Sequence, residues 1–126
     1  FEATEKFLDD VHFAEMHVFK YSPRKGTRAA VMPDQVNESV KTARSNRLIA
    51  LGERMMADYR TLCQDKTLEV LVEEDILVDG KTMWVGHSRE YLKCVFEADH
   101  VQSKDVVSCK MTGRFGEDFV FCEIID

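Results

Sequence analysis

Apolar residues recur along this chain with two different periods, and the change divides it near Cys63. Upstream, Phe7, Leu8 and Val11 fall at helical spacing among Glu2, Glu5, Lys6, Asp9 and Asp10, which predicts a helix ending at Val11. A second helix is expected from about Asn37 to Leu62. Asn37 is an N-cap residue type, Glu38 suits the positive end of the helix dipole, and Leu48, Leu51, Met55, Tyr59 and Leu62 form an apolar stripe. Between the helices, Phe13 to Phe19 is apolar on both faces, with Ala14, Met16 and Val18 against Phe13, His17 and Phe19. That pattern predicts a strand buried on both sides, as in a parallel sheet covered by helices. The strand breaks into Tyr21-Ser22-Pro23-Arg24-Lys25-Gly26-Thr27, where Pro23 biases Ser22 toward an extended conformation and Gly26 permits a positive φ. The result is a shaped loop at the carboxyl end of a buried strand, the end at which α/β barrels build their active sites. A lone strand of this kind cannot satisfy its own ladder, so in isolation segment 13–19 is expected to pair elsewhere, in a fragment dimer for example, or to stay poorly ordered.

From Lys66 onward the period is two. Leu68, Val70 and Val72 alternate with Glu69, Leu71 and Glu73, and Asp79-Gly80 is a strong hairpin turn signal. Further strands are expected near Thr82–Ser88, Tyr91–Glu97, Asp105–Thr112 and Phe119–Ile124. Five short strands in this space suggest a small antiparallel barrel of the oligonucleotide-binding (OB) kind, whose partly open sheet takes single-stranded nucleic acid. On the third of these segments, Tyr91, Lys93 and Val95 lie opposite a core face of Leu92, Cys94 and Phe96, and Arg89 extends the outer row. A ring between cations can stack an unpaired base while the cations offset phosphate charge. On the long helix, Lys41, Arg44 and Arg47 recur at spacing three, as a solvated basic face or a set of phosphate contacts.

Composition narrows this picture. The 126 residues are 44% hydrophobic and 32% charged, enough for a modest core and without an apolar run long enough to span a membrane. The chain starts at Phe1, already reading as helix and without a signal-peptide pattern, which is expected of a piece of a longer cytoplasmic protein. Cys63, Cys94, Cys109 and Cys122 form no CxxC pair, and three of them sit on the apolar register of strands. They are expected to be free thiols packed as small hydrophobes, with no metal bound to this fragment. Charge is uneven: residues 1–62 carry 10 Lys and Arg against 9 Asp and Glu, and residues 63–126 carry 7 against 14. An acidic barrel repels phosphate at long range and suits a basic protein partner better. No Ser/His/Asp, paired-carboxylate or phosphate-cradling glycine pattern is present.

The segment His17–Val36, HVFKYSPRKGTRAAVMPDQV, resembles the final-strand region of the radical S-adenosylmethionine (SAM) methylthiotransferases that modify tRNA. Its wording is most similar to the branch acting on threonylcarbamoyladenosine. VLVEE at Val70–Glu74 and VGHSREYLKCVFE at Val85–Glu97 resemble the TRAM domain that closes these enzymes. The resemblance implies an α+β chain: an N-terminal helix–strand–helix remnant of an α/β barrel, followed by a small five-stranded OB-like antiparallel β-barrel. Residues 1–35 would end the radical SAM barrel with its active-site loop, 36–62 would form a linking helix, and 63–126 the TRAM barrel. It implies a parent with two 4Fe-4S clusters and SAM, whose cluster cysteines would lie upstream of Phe1. In that setting Tyr21, Arg24 and Thr27 would border the SAM or substrate pocket. Arg89, Tyr91, Lys93, Lys41, Arg44 and Arg47 would face the tRNA anticodon stem-loop. Alternatives are a stand-alone RNA- or protein-binding module, or a methylthiotransferase acting on a basic ribosomal protein.

Overall fold

Residues 1–125 are described by a computed structural model. Two helices and a closed five-stranded barrel make an α+β chain with a small OB-like domain. The chain divides into two compact units, Phe1–Tyr59 and the residues from Arg60 onward.

In the first unit, helix α1 (Glu2–Val11) ends on His12, which adopts a left-handed conformation and donates its backbone N–H to the Leu8 carbonyl. No residue of α1 is buried. Ion pairs hold it along helix α2 (Glu38–Leu62): Glu5 with Arg47, Asp9 with Arg54 at 2.6 Å, and His12 with Asp58 at 3.1 Å. Exposed pairs of this kind contribute roughly 0–1 kcal/mol each. The α2 start is capped as expected, since the Ser39 N–H donates to Asn37 Oδ1 at 2.9 Å. Along its stripe Leu51 and Met55 are buried, whereas Leu62 is exposed.

Residues 13–20 differ from expectation. They belong to no strand. Ala14, Met16 and Val18 are half-buried, and Phe13, His17 and Phe19 are exposed, so one face is covered rather than two. Period-two apolarity makes a segment willing to pair, but a ladder also requires a neighbouring backbone. Met16 lies close on α2 at Gly52, where an added Cβ would stand 3.2 Å from Met16 Cε.

In the second unit the strands are β1 (Thr67–Val78), β2 (Lys81–Ser88), β3 (Lys93–Phe96), β4 (Val106–Phe115) and β5 (Phe119–Ile124). They close in the order β1-β2-β3-β5-β4. The barrel is mixed rather than wholly antiparallel, because β3 and β5 run parallel, with Cys94 opposite Val120 and Val95 opposite Phe121. Asp79 and Gly80, both at positive φ, form the two-residue β1–β2 turn, the conformation that matches the twist of the flanking strands. Strand β1 serves two neighbours, β4 along its first half and β2 along most of its length, with an irregularity between Val72 and Glu74. The core is built from Leu68, Val70, Val72, Leu92, Cys94, Phe96, Met111, Val120 and three further cysteines, Cys63, Cys109 and Cys122. All four cysteines are free and buried.

Apolar packing is not confined to one face. Val85 and Val95, flanked along the chain by the buried Gly86 and by Cys94 and Phe96, join Met83 in a second cluster with Ile76, Val78, Phe115, Phe119 and Phe121 against it. The expected outward row of Tyr91, Lys93 and Val95 therefore breaks at Val95, which is fully buried. Among the described residues, no helix is long and apolar enough to cross a membrane.

Candidate functional site

The loop after residue 20 is tied to the start of α2. Lys20 Nζ reaches Glu38 Oε1 at 2.5 Å and Thr42 Oγ1 at 3.3 Å. That ammonium, helped by Lys41, holds the Glu38 carboxyl below its ordinary range. Lys41 Nζ donates to the Tyr21 carbonyl at 3.3 Å and stands 5.3 Å from the centre of the Tyr21 ring. Farther on, the Arg24 carbonyl accepts from both the N–H and the Oγ1 of Thr27, at 3.2 and 2.8 Å. Gly26 at φ 86° allows that turn to close. Thr27 then leads into a short 3₁₀ helix, Arg28–Val31. Gln35 ties its end down by donating to the Ala29 and Met32 carbonyls, both at 2.9 Å.

These contacts surround a cavity of about 470 Å³, inside the range of small-ligand sites. Val18, Tyr21, Met32, Gln35, Lys41 and Arg44 are among its lining residues. Of the loop residues expected at a pocket, Tyr21 lines it while Arg24 and Thr27 do not. Lys41 and Arg44 do, although their spacing pointed to an external phosphate face. Arg44 and Arg47 both stack over the Phe1 ring, at 5.2 and 4.9 Å from its centre, and Arg47 also grips Glu5 through two nitrogens. Gln35 is the residue that pattern reasoning missed. Its only signal was its place in the PDQV run that follows the loop.

On the barrel, Arg89, Tyr91 and Lys93 do not share a straight strand face. Strand β3 begins at Lys93, and Tyr91 sits in the preceding turn at φ 66°, its N–H bonded to the Ser88 carbonyl. Tyr91 is 75% exposed and its ring lies 6.2 Å from that of His87. His87 is paired in register with Lys93 and lies 2.8 Å from Glu73. Arg89 is neutralised by Glu69 at 2.9 Å. An accessible ring is present, therefore, but two carboxylates share its surroundings with the cations.

No family model matches the chain. Curated relatives do. The chain is 38% identical over 112 residues to the threonylcarbamoyladenosine tRNA methylthiotransferase MtaB of Bacillus subtilis, covering 88% of this chain and 25% of that protein. It is 38% identical over 111 residues to a tRNA-2-methylthio-N(6)-dimethylallyladenosine synthase of Erythrobacter litoralis, covering 88% and 24%. Over 75 residues it is 40% identical to the ribosomal protein uS12 methylthiotransferase RimO of Opitutus terrae, covering 60% and 16%. The chain belongs with the methylthiotransferases. It spans about a quarter of the length of the first two relatives.

Iron–sulfur clusters and SAM are implied for the parent methylthiotransferase. Among the described residues, no group of three or more His, Cys, Asp or Glu side chains is placed to hold a metal. Two of the four buried thiols, Cys94 and Cys109, do not suit a cluster. Burial drives Cys109 up to about 12, and Cys94 is also raised, by its contact with the Cys122 thiol and by burial. A cluster ligand must be a thiolate, and Cys94 and Cys109 favour the protonated form, whereas its hydrogen bond with Cys94 lowers Cys122.

Proposed function

We propose that this chain is part of a tRNA methylthiotransferase of the threonylcarbamoyladenosine branch, and that it contributes one wall of a substrate or SAM pocket together with an RNA-positioning TRAM barrel. The observation that carries the reading is the 38% identity to MtaB across 88% of the chain. The equal identity to the dimethylallyladenosine synthase leaves the choice of nucleoside to the loop wording HVFKYSPRKGTRAAVM, which favours the first branch. In the parent, SAM and iron–sulfur chemistry would supply the methylthio group. The role of this chain is to bind and orient: Tyr21 and Lys41 shape the cavity, and Tyr91 offers a base-stacking surface on the barrel.

The test uses the full-length protein that contains this chain, expressed in a bacterium lacking its own threonylcarbamoyladenosine methylthiotransferase. Mass spectrometry of digested tRNA should show 2-methylthio-threonylcarbamoyladenosine restored. Restoration only of the dimethylallyl product, in a strain lacking that activity, would reassign the branch. Methylthiolation of a ribosomal protein and of no tRNA would overturn the RNA reading.

A further inference from the structure

The overall net charge of −6 conceals one segment of the opposite character. Residues 16–33 contain Lys20, Arg24, Lys25 and Arg28 and no carboxylate. What matters for binding phosphate is which cations are still uncommitted. Of the ten Lys and Arg residues in positions 1–62, seven are engaged within the chain. Lys6 pairs with Asp10, Lys20 with Glu38, Arg47 with Glu5 and Arg54 with Asp9. Lys41 is held by Tyr21, Arg44 covers the Phe1 ring, and Arg60 donates to the Glu117 and Asp118 carbonyls. Arg24, Lys25 and Arg28 are exposed and, among the described residues, none of them is in an ion pair.

The three also share one short scaffold. Arg24 and Lys25 stand in the turn closed by Thr27 onto the Arg24 carbonyl, and Arg28 opens the 3₁₀ helix that follows directly. We infer that Arg24, Lys25 and Arg28 form a phosphodiester-binding cluster that holds the RNA backbone next to the Tyr21 cavity. This inference rests on the RNA reading proposed above, and it relocates the main electrostatic contact. The helix cations Lys41, Arg44 and Arg47 are occupied within the unit, and the barrel row is offset by Glu69 and Glu73. A guanidinium–lysine–guanidinium set suits phosphate, since each arginine can present two parallel N–H donors to one group.

The experiment is a salt titration of the 126-residue chain binding a fluorescent RNA stem-loop, from about 50 to 200 mM monovalent salt. Substituting Arg24, Lys25 and Arg28 together by Ala should reduce the slope of log K against log salt by about 2–3, since each lost phosphate contact removes roughly 0.7–0.9. A control variant loses the same charge elsewhere, through Lys6→Ala, Lys81→Ala and Lys104→Ala, and should retain nearly the whole slope. Thermal melts of both variants should match the parent chain, because all six side chains are exposed. Equal slope losses in the two variants would reduce the effect to net charge and overturn the inference while leaving RNA binding in place. Displacement of the RNA by polyglutamate at equal charge would assign the cluster to an acidic protein and overturn it as well. Absence of RNA binding by the unaltered chain at the lowest salt would overturn both the cluster and the RNA-positioning role, but not the family membership.

Discussion

Gly86→Ala should unfold the barrel more readily than a methyl added at any other glycine of this chain. Gly86 is buried on β2 opposite Val72, beside the β1 irregularity. A Cβ there would stand 2.0 Å from the Leu71 carbonyl oxygen, 2.9 Å from its carbon and 3.0 Å from Val70 Cγ1. Two of these atoms are backbone, so no rotamer change relieves the clash, and the β1 chain has to retreat by about 1 Å. Overpacking of this kind costs about 1–3 kcal/mol. Pulling Leu71 away from His87 also weakens ladder hydrogen bonds, each contributing roughly 0.5–1.5 kcal/mol. The expected loss is therefore about 2–4 kcal/mol, equivalent to a fall in Tm of roughly 10–25 °C for a domain of this size. Trp84, the single tryptophan, lies two residues away on the same strand and reports barrel unfolding by its fluorescence. Urea titrations followed at Trp84 give the stability directly. Gly113→Ala is the matched control, since it also adjoins a strand irregularity yet an added Cβ there meets nothing within 4 Å. It should change stability by no more than about 0.5 kcal/mol. A Gly86→Ala loss below about 1 kcal/mol, or equal losses for the two variants, would refute the steric argument.

Two further outcomes follow from titratable groups. The Glu38 carboxyl is held below its ordinary 4.5, first by its hydrogen bond from Lys20. Its contribution to stability is therefore fully present above pH 4.5 and is lost as pH falls through the lower folded value; carbon-detected NMR should place the Glu38 titration lower in the parent than in Lys20→Ala. The buried thiols should behave oppositely to reactive cysteines: with Cys109 raised to about 12 and Cys94 raised too, iodoacetamide at neutral pH should label neither until urea opens the barrel, and labelling of the native chain would contradict the packing.

Legibility in the sequence followed the range of the interactions involved. Asp79-Gly80 announced its hairpin because the turn is two residues long and its conformational demand falls on those residues. The Asn37 cap was readable for the same reason, as the bond it makes spans two positions. Alternation located all five strands, and it placed Cys94, Cys109 and Cys122 correctly in the core. The parallel β3–β5 pairing was not readable, since it joins residues about 26 apart and leaves no mark on either strand. Val95 misled because alternation assumes one wet face, whereas Met83, Val85 and the surrounding phenylalanines bury that side too. Tyr91 gave no warning of its positive φ, a conformation usually signalled by Gly or Asn. The stretch 13–19 had the composition of a strand and lacked the neighbouring backbone that would make it one. At the candidate site, the cations of α2 were visible as a stripe, but their partners Phe1 and Glu5 lie about 40 residues earlier and only the fold brings them together.

The place of β5 in the ring has a consequence for synthesis and truncation. The last strand in the chain is not at an edge but is inserted between β3 and β4, sealing both. A ribosome that has delivered everything up to Asp118 has made four strands with two unsatisfied borders facing each other across a gap. The barrel can close only when Phe119–Ile124 has left the exit tunnel. A message cut short by a single premature stop in this region would therefore release a product with exposed β-strand edges on both sides of the missing strand, the kind of surface that recruits other chains.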